Sequence, residues 1–484
     1  MDRTHGAASV RRWDAGRVAR AAAAELGEGR PGTGSEPGPR RATIDSRGAG
    51  PGDLFVGLRG ERSHGGEYAL QALRAGAWGV LVTPEHARAA LDSRTAGTVL
   101  VHPDPLAGLQ ALARAWVREL RARGTRIVGV TGSTGKTSTK DILAALLQER
   151  PTVASPENFN TEIGLPLTVL AAPIDTDVLV LEMAMRGAGQ IAELTAIAEP
   201  DVGVIVNVGP VHIELLGTLE AIAAAKAELI AGLRPGATAV VPAGEQLLAP
   251  HLREDVRTVT FGDGGNLELE AGRSPGEVVI REGSLRIALE PSFRQAHQLE
   301  NLLAAVAAAR ALGVTPQGPV EVSFSSLRGE RLGLGGGVVL INDCYNANPM
   351  SMRAAIDDLV ESAPGRRVAV LGDMLELGSH AARFHREIGR YAAARGVDLL
   401  VTVGPLAAMM RETYEGEAYS VPDPAAAVEL LRELLAEGDT VLVKGSRGVG
   451  LERVAEGLGG GRDPARADAA GASALARDAG PGRS

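Results

Sequence analysis

Aromatic residues are scarce in this sequence: 3 Trp, 5 Tyr and 6 Phe among 484 positions. Its core therefore rests on Val, Leu, Ile and Ala. There is one cysteine, Cys344, which excludes an internal disulfide and makes a reducing cytoplasm the natural setting. No apolar run reaches the roughly 18 residues of a membrane-spanning helix, so membrane insertion is not expected. Residues 1–12 are polar and basic and lack the apolar segment of a secretory signal. Positive charge is not in excess: 50 Lys and Arg against 59 Asp and Glu leave a net charge of −9. That argues against broad nucleic-acid binding, which needs a basic surface, but not against a local basic pocket for phosphate.

What remains is an ordinary soluble composition, 45% hydrophobic and 23% charged, in a chain long enough for about three domains. Residues 27–41, 118–126 and 457–484 read as loose. The last of these is expected to be a disordered tail, because it cannot bury enough apolar surface to offset its ordering entropy. Elsewhere short β-branched runs alternate with Ala/Leu-rich helical runs. Strands are expected at 126–131, 178–182, 202–208, 238–242, 338–342, 367–372, 399–403 and 440–443. Helices are expected at 137–147, 219–233, 299–312 and 350–361. The alternation implies an α/β fold of parallel sheets covered by helices on both faces. The two sets of strands separate near 313–322. A third, smaller region precedes residue 126, with strand-like 80–83 and 99–102. No short-period repeat is present.

The densest chemical signal follows the strand 127–131. Gly132, Ser133, Thr134, Gly135, Lys136, Thr137 and Ser138 come next, then a helix. Glycines let backbone N–H groups turn toward an anion, and the helix N-terminus adds partial positive charge. Lys136 can reach the β- and γ-phosphates of a nucleotide, and the Thr137 hydroxyl can hold Mg²⁺. Position 130 is Val where the general phosphate-loop pattern has Gly. The alternative is a glycine turn with a surface lysine.

Three further residues lie where such a site would need them. Glu182 ends the strand 178–182, at the carboxyl edge where open α/β sheets bind ligands, and a carboxylate there suits Mg²⁺; otherwise it is a solvated strand-end acid. His212 follows the strand 202–208 on the same side, with a metal or phosphate role or a structural one. Lys226 lies in a helix among small residues, facing inward or, on pattern alone, sitting on the surface.

Together these residues resemble the Mur ligase family, over about residues 13–458. Asp45-Ser46-Arg47 and residues 51–58 resemble its uridine-nucleotide segment. Residues 131–137 resemble its T-G-x-x-G-K-T loop, which also lacks the first glycine. Residues 158–166, with Asn160 and Thr161, resemble the loop that reaches the muramoyl substrate. Glu182 and the residues after it resemble the Mg²⁺-binding strand end. The stretch from His212 to Lys226 resembles the segment that supplies a metal-ligand histidine and a lysine carbamylated in several members. Asp343, Asn346 and Asn348 stand in a D-x-Y-N-A-N-P segment that points to the members whose acceptor is D-alanyl-D-alanine, the Asp meeting the ATP ribose. Residues 371–378 and the stretch with Lys444 and Arg447 fit as well, and Arg328 joins the implied nucleotide contacts. One departure stands out. Where the family has G-x-H-N-x-x-N, this chain has Gln295-Ala296-His297-Gln298-Leu299-Glu300-Asn301. His297 and Asn301 remain candidates for ATP, while Gln298 replaces an Asn.

The resemblance implies three domains: a small N-terminal α/β uridine-nucleotide domain (13–124), a central phosphate-loop ATPase domain with a parallel sheet (125–316), and a C-terminal Rossmann-like α/β ligase domain (317–458), followed by the tail (459–484). It implies an ATP-dependent ligase of peptidoglycan precursor synthesis. The terminal carboxylate of UDP-N-acetylmuramoyl-tripeptide takes the γ-phosphate, and the amine of D-alanyl-D-alanine attacks the resulting acyl phosphate. Lys136 and two Mg²⁺ ions neutralise the transferring group. Thr137 and Glu182 hold one ion, and His212 with Lys226 as a carbamate holds the other. Lys136, His212 and Lys226 are thus the expected catalytic groups. Ser46, Arg47, Asn160, Thr161, Lys444 and Arg447 are the expected substrate contacts. A cytoplasmic monomer is expected. The rivals are another amide ligase of the superfamily, such as the one adding the third amino acid or a folylpolyglutamate synthase, and a phosphate-loop kinase or nucleotide-gated binding protein without amide chemistry.

Overall fold

The computed structural model describes residues 13–27, 38–61, 63–93, 95–272, 274 and 276–459. Residues 1–12, most of the stretch 27–41 and all but the first residue of the tail expected at 459–484 lie outside them. The chain forms two compact units. One contains the residues up to Val208 together with Ala223–Val322; the other contains Gly209–Ile222 and the residues from Ser323 onward.

The first unit holds two sheets. The smaller is built from β1 (Glu25–Leu26), β2 (Arg41–Thr43), β3 (Asp53–Val56), β4 (Gly79–Val82) and β5 (Thr98–Val101), in the order β1-β5-β4-β3-β2. It is parallel except for β1. The larger contains β6 (Arg126–Thr131), β7 (Thr152–Ala154), β8 (Val178–Glu182), β9 (Val202–Ile205), β10 (Thr238–Pro242), β11 (Arg257–Phe261), β12 (Leu267–Ala271), β13 (Val278–Glu282), β14 (Leu285–Pro291) and β15 (Gly318–Val320). Their order is β15-β14-β13-β12-β11-β10-β9-β6-β8-β7. Val128, Val130, Leu179, Leu181, Val202 and Val204 are wholly buried, as expected of parallel strands covered on both faces.

Three expectations need correction. The larger sheet is not parallel throughout: β13 runs antiparallel to both its neighbours, β12 and β14. Along β14 exposed and buried residues alternate, the pattern of a strand with one wet face. Residues 118–126 are not loose. Residues 118–122 close the helix Pro105–Ala122, which buries Leu109, Leu112, Trp116, Val117 and Leu120 at helical spacing. Asp104 caps that helix on the N–H groups of Leu106 and Ala107. Arg118 and Arg121 both pair with Glu199, and Trp116 Nε1 donates to the Ala172 carbonyl at 3.1 Å. The run of charge is the solvent face of a helix bound to the larger sheet's layer. Finally, β9 ends at Ile205 rather than at 208, and Asn207 turns its side chain away to other partners.

The second unit has one sheet of β16 (Glu330–Gly333), β17 (Val339–Asn342), β18 (Arg367–Gly372), β19 (Leu399–Val403), β20 (Glu417–Val421) and β21 (Thr440–Lys444), in the order β16-β17-β21-β18-β19-β20. Only the edge strand β16 is antiparallel. Its core joins Leu340, Val368, Val370, Leu399, Val401, Val441 and Val443 to Ala427, Leu431 and Val454 of the covering helices.

Candidate active site

In the first unit β6 lies between β8 and β9, and the phosphate loop leaves its carboxyl end. Val130, the departure from the general pattern, pairs with Glu182 on one side and Val204 on the other and is wholly buried. A β-branched residue suits that interior strand position better than glycine. Gly135 has a different constraint. Its φ is 76°, and a Cβ there would lie 2.3 Å from Asn301 Oδ1, so only glycine fits. The helix Lys136–Leu146 begins immediately after it. Lys136 Nζ donates to the Gly132 carbonyl at 2.9 Å. Ser133 and Ser138 are buried.

Glu182 is 1% exposed. Its Oε2 accepts from Thr137 Oγ1 at 2.8 Å and its Oε1 from Asn160 Nδ2 at 2.8 Å. Its backbone N–H donates to Ser155 Oγ at 3.1 Å. A buried carboxylate whose side-chain donors are a hydroxyl and an amide is expensive unless a cation joins it. Oxygen ligands on a short helix-to-strand span are what a hard divalent ion takes. The Thr161 hydroxyl accepts from the N–H of Gly164, the first residue of the helix Gly164–Ala171.

Lys226 is 2% exposed, so the inward-facing alternative holds. Burial, and then the like charge of Lys136, hold its amine well below the usual lysine range. A neutral amine is the form that adds carbon dioxide. At the start of the helix Ala296–Ala311, His297 is partly buried, and Asn301 and Gln298 are buried. Gln298 Oε1 accepts from Asn301 Nδ2 at 3.0 Å, while Asn301 Oδ1 meets Thr139 Oγ1 at 3.5 Å. The Gln that replaces the family's Asn is thus engaged with Asn301. In the smaller sheet, Asp45 follows β2 and pairs with Arg47 through two side-chain hydrogen bonds of 2.9 Å, and Ser46 forms the turn between them. Arg47 holds the Asp45 carboxyl below its usual range.

His212 belongs to the second unit, with φ 56°, and its Nδ1 meets the carboxylate of Glu376, whose φ is 61°. Two non-glycine residues held in the left-handed region and joined to each other mark a locally determined arrangement. Lys444 is 2% exposed and donates to Asp343 Oδ2 at 2.7 Å and to the Asn346 carbonyl at 2.9 Å. This ammonium shapes the loop that carries Asp343 and Asn346. Asn348 caps the helix Pro349–Ser362 in a reciprocal pair with Ser351. The Arg328 guanidinium lies 4.1 Å over the Tyr345 ring, and its buried Nε has no protein partner. Arg447 is exposed and lies 3.9 Å from Glu452.

Sequence reasoning missed Asn207, Lys140 and Glu376. Asn207 binds the phosphate loop. Lys140, 3% exposed, donates to the Ser155 carbonyl at 2.8 Å and pairs with Asp141. An inward lysine one helical turn past Lys136 was the available signal for Lys140, and Glu376 stands in the stretch 371–378 that fits the family; no signal marked Asn207.

Three family models match the chain: "Mur ligase family, catalytic domain" over residues 41–116, "Mur ligase middle domain" over 130–309, and "Mur ligase, glutamate ligase domain" over 327–447. The UDP-N-acetylmuramoyl-tripeptide–D-alanyl-D-alanine ligase of Bacillus subtilis is 36% identical over 419 residues, covering 84% of this chain and 90% of that relative. The MurF ligase of Thermotoga maritima, solved in complex with ADP, superposes with a TM-score of 0.74 at 32% identity, covering 86% of this chain and 96% of that one. MurF of Acinetobacter baumannii gives a TM-score of 0.80 at 27% identity, covering 92% and 98%.

Proposed function

This chain belongs to the Mur ligase family, and from that premise we propose that it joins D-alanyl-D-alanine to UDP-N-acetylmuramoyl-tripeptide at the expense of ATP, in peptidoglycan precursor synthesis. The relatives similar along most of its length carry that activity in their names. The observation on the molecule that carries the reading is the buried Glu182 carboxylate on the Thr137 hydroxyl, at the end of a phosphate loop.

Each group has a role in this reading. The loop from Gly132 to Ser138 cradles the phosphates, and Lys136 neutralises the γ-phosphate as it moves. Thr137 and Glu182 hold a Mg²⁺ ion. His212 and Lys226, the latter as a carbamate, hold a second. The ions supply charge neutralisation for phosphoryl transfer. His297, Asn301, Arg328, Asp343, Asn346 and Asn348 take the nucleoside end of ATP. Ser46 and Arg47 take the uridine nucleotide, Asn160 and Thr161 the muramoyl-peptide end, and Arg447 the acceptor side. Lys444 acts on Asp343 and Asn346, to which it is bonded. The carboxylate of the tripeptide accepts the γ-phosphoryl group and ADP leaves. The amine of D-alanyl-D-alanine then attacks the acyl carbon, phosphate departs and the amide forms. The domains divide at 13–124, 125–316 and 317–458. No helix among the described residues is long and apolar enough to cross a membrane, and we place the enzyme in the cytoplasm as a monomer.

The test is phosphate release from ATP. It should require UDP-N-acetylmuramoyl-tripeptide and D-alanyl-D-alanine together. Release with neither present, or with glutamate and a folate instead, overturns the reading. Carbon-13 bicarbonate should give a carbamate resonance in the wild type that Lys226→Ala lacks.

A further inference from the structure

Two residues past the end of β9, Asn207 reaches onto the phosphate loop. Its Oδ1 accepts from the backbone N–H of Ser133 at 3.1 Å and of Thr134 at 2.9 Å. Its Nδ2 donates to Thr134 Oγ1 at 2.9 Å, and its backbone carbonyl also accepts from Ser133 at 3.1 Å. One primary amide therefore uses both its ends on two consecutive loop residues. The orientation is fixed by this pattern, because the reversed amide would set its NH₂ against two N–H donors.

An anion-binding loop is effective when its donors already converge before the ligand arrives. The N–H groups of the first turn of Lys136–Leu146 point out of the helix end by construction. Ser133 and Thr134 precede that helix, so its hydrogen-bond ladder does not hold them. We propose that Asn207 is a positioning residue for the nucleotide phosphates: it ties the first half of the loop to the end of β9, and so fixes where the donors from Gly135 to Thr137 meet. It acts through the loop and not on the ligand. The inference rests on the ATP-dependent reading given above.

The opposite arrangement makes the test two-sided. If the Asn207 oxygen merely sat where a phosphate oxygen belongs, removing it would tighten nucleotide binding. The experiment measures ATP binding by titration calorimetry, KM for ATP and for the uridine-nucleotide substrate, and the melting temperature, in full-length Asn207→Ala and Asn207→Asp. Asn207→Ala should weaken ATP binding about tenfold, with KM for the uridine-nucleotide substrate unchanged. Asn207→Asp keeps both acceptor bonds but loses the donor and adds a negative charge beside the phosphates. It should bind ATP more weakly still at low salt, the gap narrowing as salt rises. Unchanged or tighter ATP binding in Asn207→Ala overturns the proposal, as does an equal loss for both substrates. Should Asn207→Ala fail to fold, Asn207→Ser, which keeps one hydroxyl acceptor, should fall between wild type and Asn207→Asp. A wild-type protein that does not bind ATP would sink the functional reading instead.

Discussion

The Thr137 hydroxyl donates to the Glu182 carboxylate across 2.8 Å, joining the helix behind the phosphate loop to the end of the neighbouring strand. Both side chains are buried, and both offer oxygen to a hard cation. Glu182→Gln preserves the size and removes the charge. The Mg²⁺ concentration for half-maximal phosphate release should rise about 10- to 100-fold, and the melting temperature should not fall, because a buried amide costs less than a buried carboxylate. An unchanged Mg²⁺ midpoint would remove Glu182 from the metal ligands.

Lys140 supports the same strand end from below. It bonds the Ser155 carbonyl, and Ser155 Oγ receives the Glu182 N–H. Its partner Asp141 lies 2.8 Å away, and both side chains are nearly buried, at 4% and 12% exposure. Lys140→Met removes a buried ammonium from beside this carboxylate and from the Ser155 carbonyl and should cost about 3 kcal/mol in urea unfolding. Adding Asp141→Asn should recover part of that loss, so the double variant is more stable than the sum of the two single effects implies. Strict additivity would show the pair to be uncoupled.

Lys226 predicts a pH dependence of stability. Burial and the nearby Lys136 place its folded pKa below its unfolded one. Between those two values the unfolded chain binds the extra proton, so this residue's contribution to stability rises with pH and is complete above the unfolded value, near 10.4. In bicarbonate-free buffer the melting temperature of the wild type relative to Lys226→Met should climb from pH 7 toward about 10. A constant difference would mean that the amine is not desolvated in solution.

Gln298 orients Asn301. By accepting from Asn301 Nδ2 it turns Oδ1 toward Thr139 and the tight position at Gly135. Gln298→Ala releases that amide and should raise KM for ATP roughly fivefold. Gln298→Glu keeps an acceptor for Asn301 and should raise it less. Equal effects in steady-state kinetics would show that the acceptor is not what matters.

How much of this was legible in the chain depends on the distance between partners. The strand, loop and helix around Lys136 are contiguous, so composition and order alone revealed them, and Glu182 followed from a strand end; Lys226 read as a surface residue on pattern alone and was singled out by the family resemblance. The antiparallel strands β12 to β14 were missed, although Leu267-Glu268-Leu269-Glu270 alternates in the period of a half-wet strand. Charge at 118–126 suggested a loose segment because the apolar stripe beneath it begins earlier in the helix, at Leu109. The family resemblance supplied the chemistry of the acceptor, which no local pattern carries.

The sequence by itself thus determined the phosphate loop, the α/β alternation and the family, because these are written in neighbouring residues. Tertiary structure alone decided what holds the loop in shape. Asn207 and Thr134 are 73 positions apart and Thr139 and Asn301 are 162 apart. Only the sheet order β8-β6-β9 and the packing of Ala296–Ala311 on the loop's helix bring them together. A hydrogen bond depends on ångström placement of two groups, and hydrophobic periodicity places elements but not the polar atoms on them.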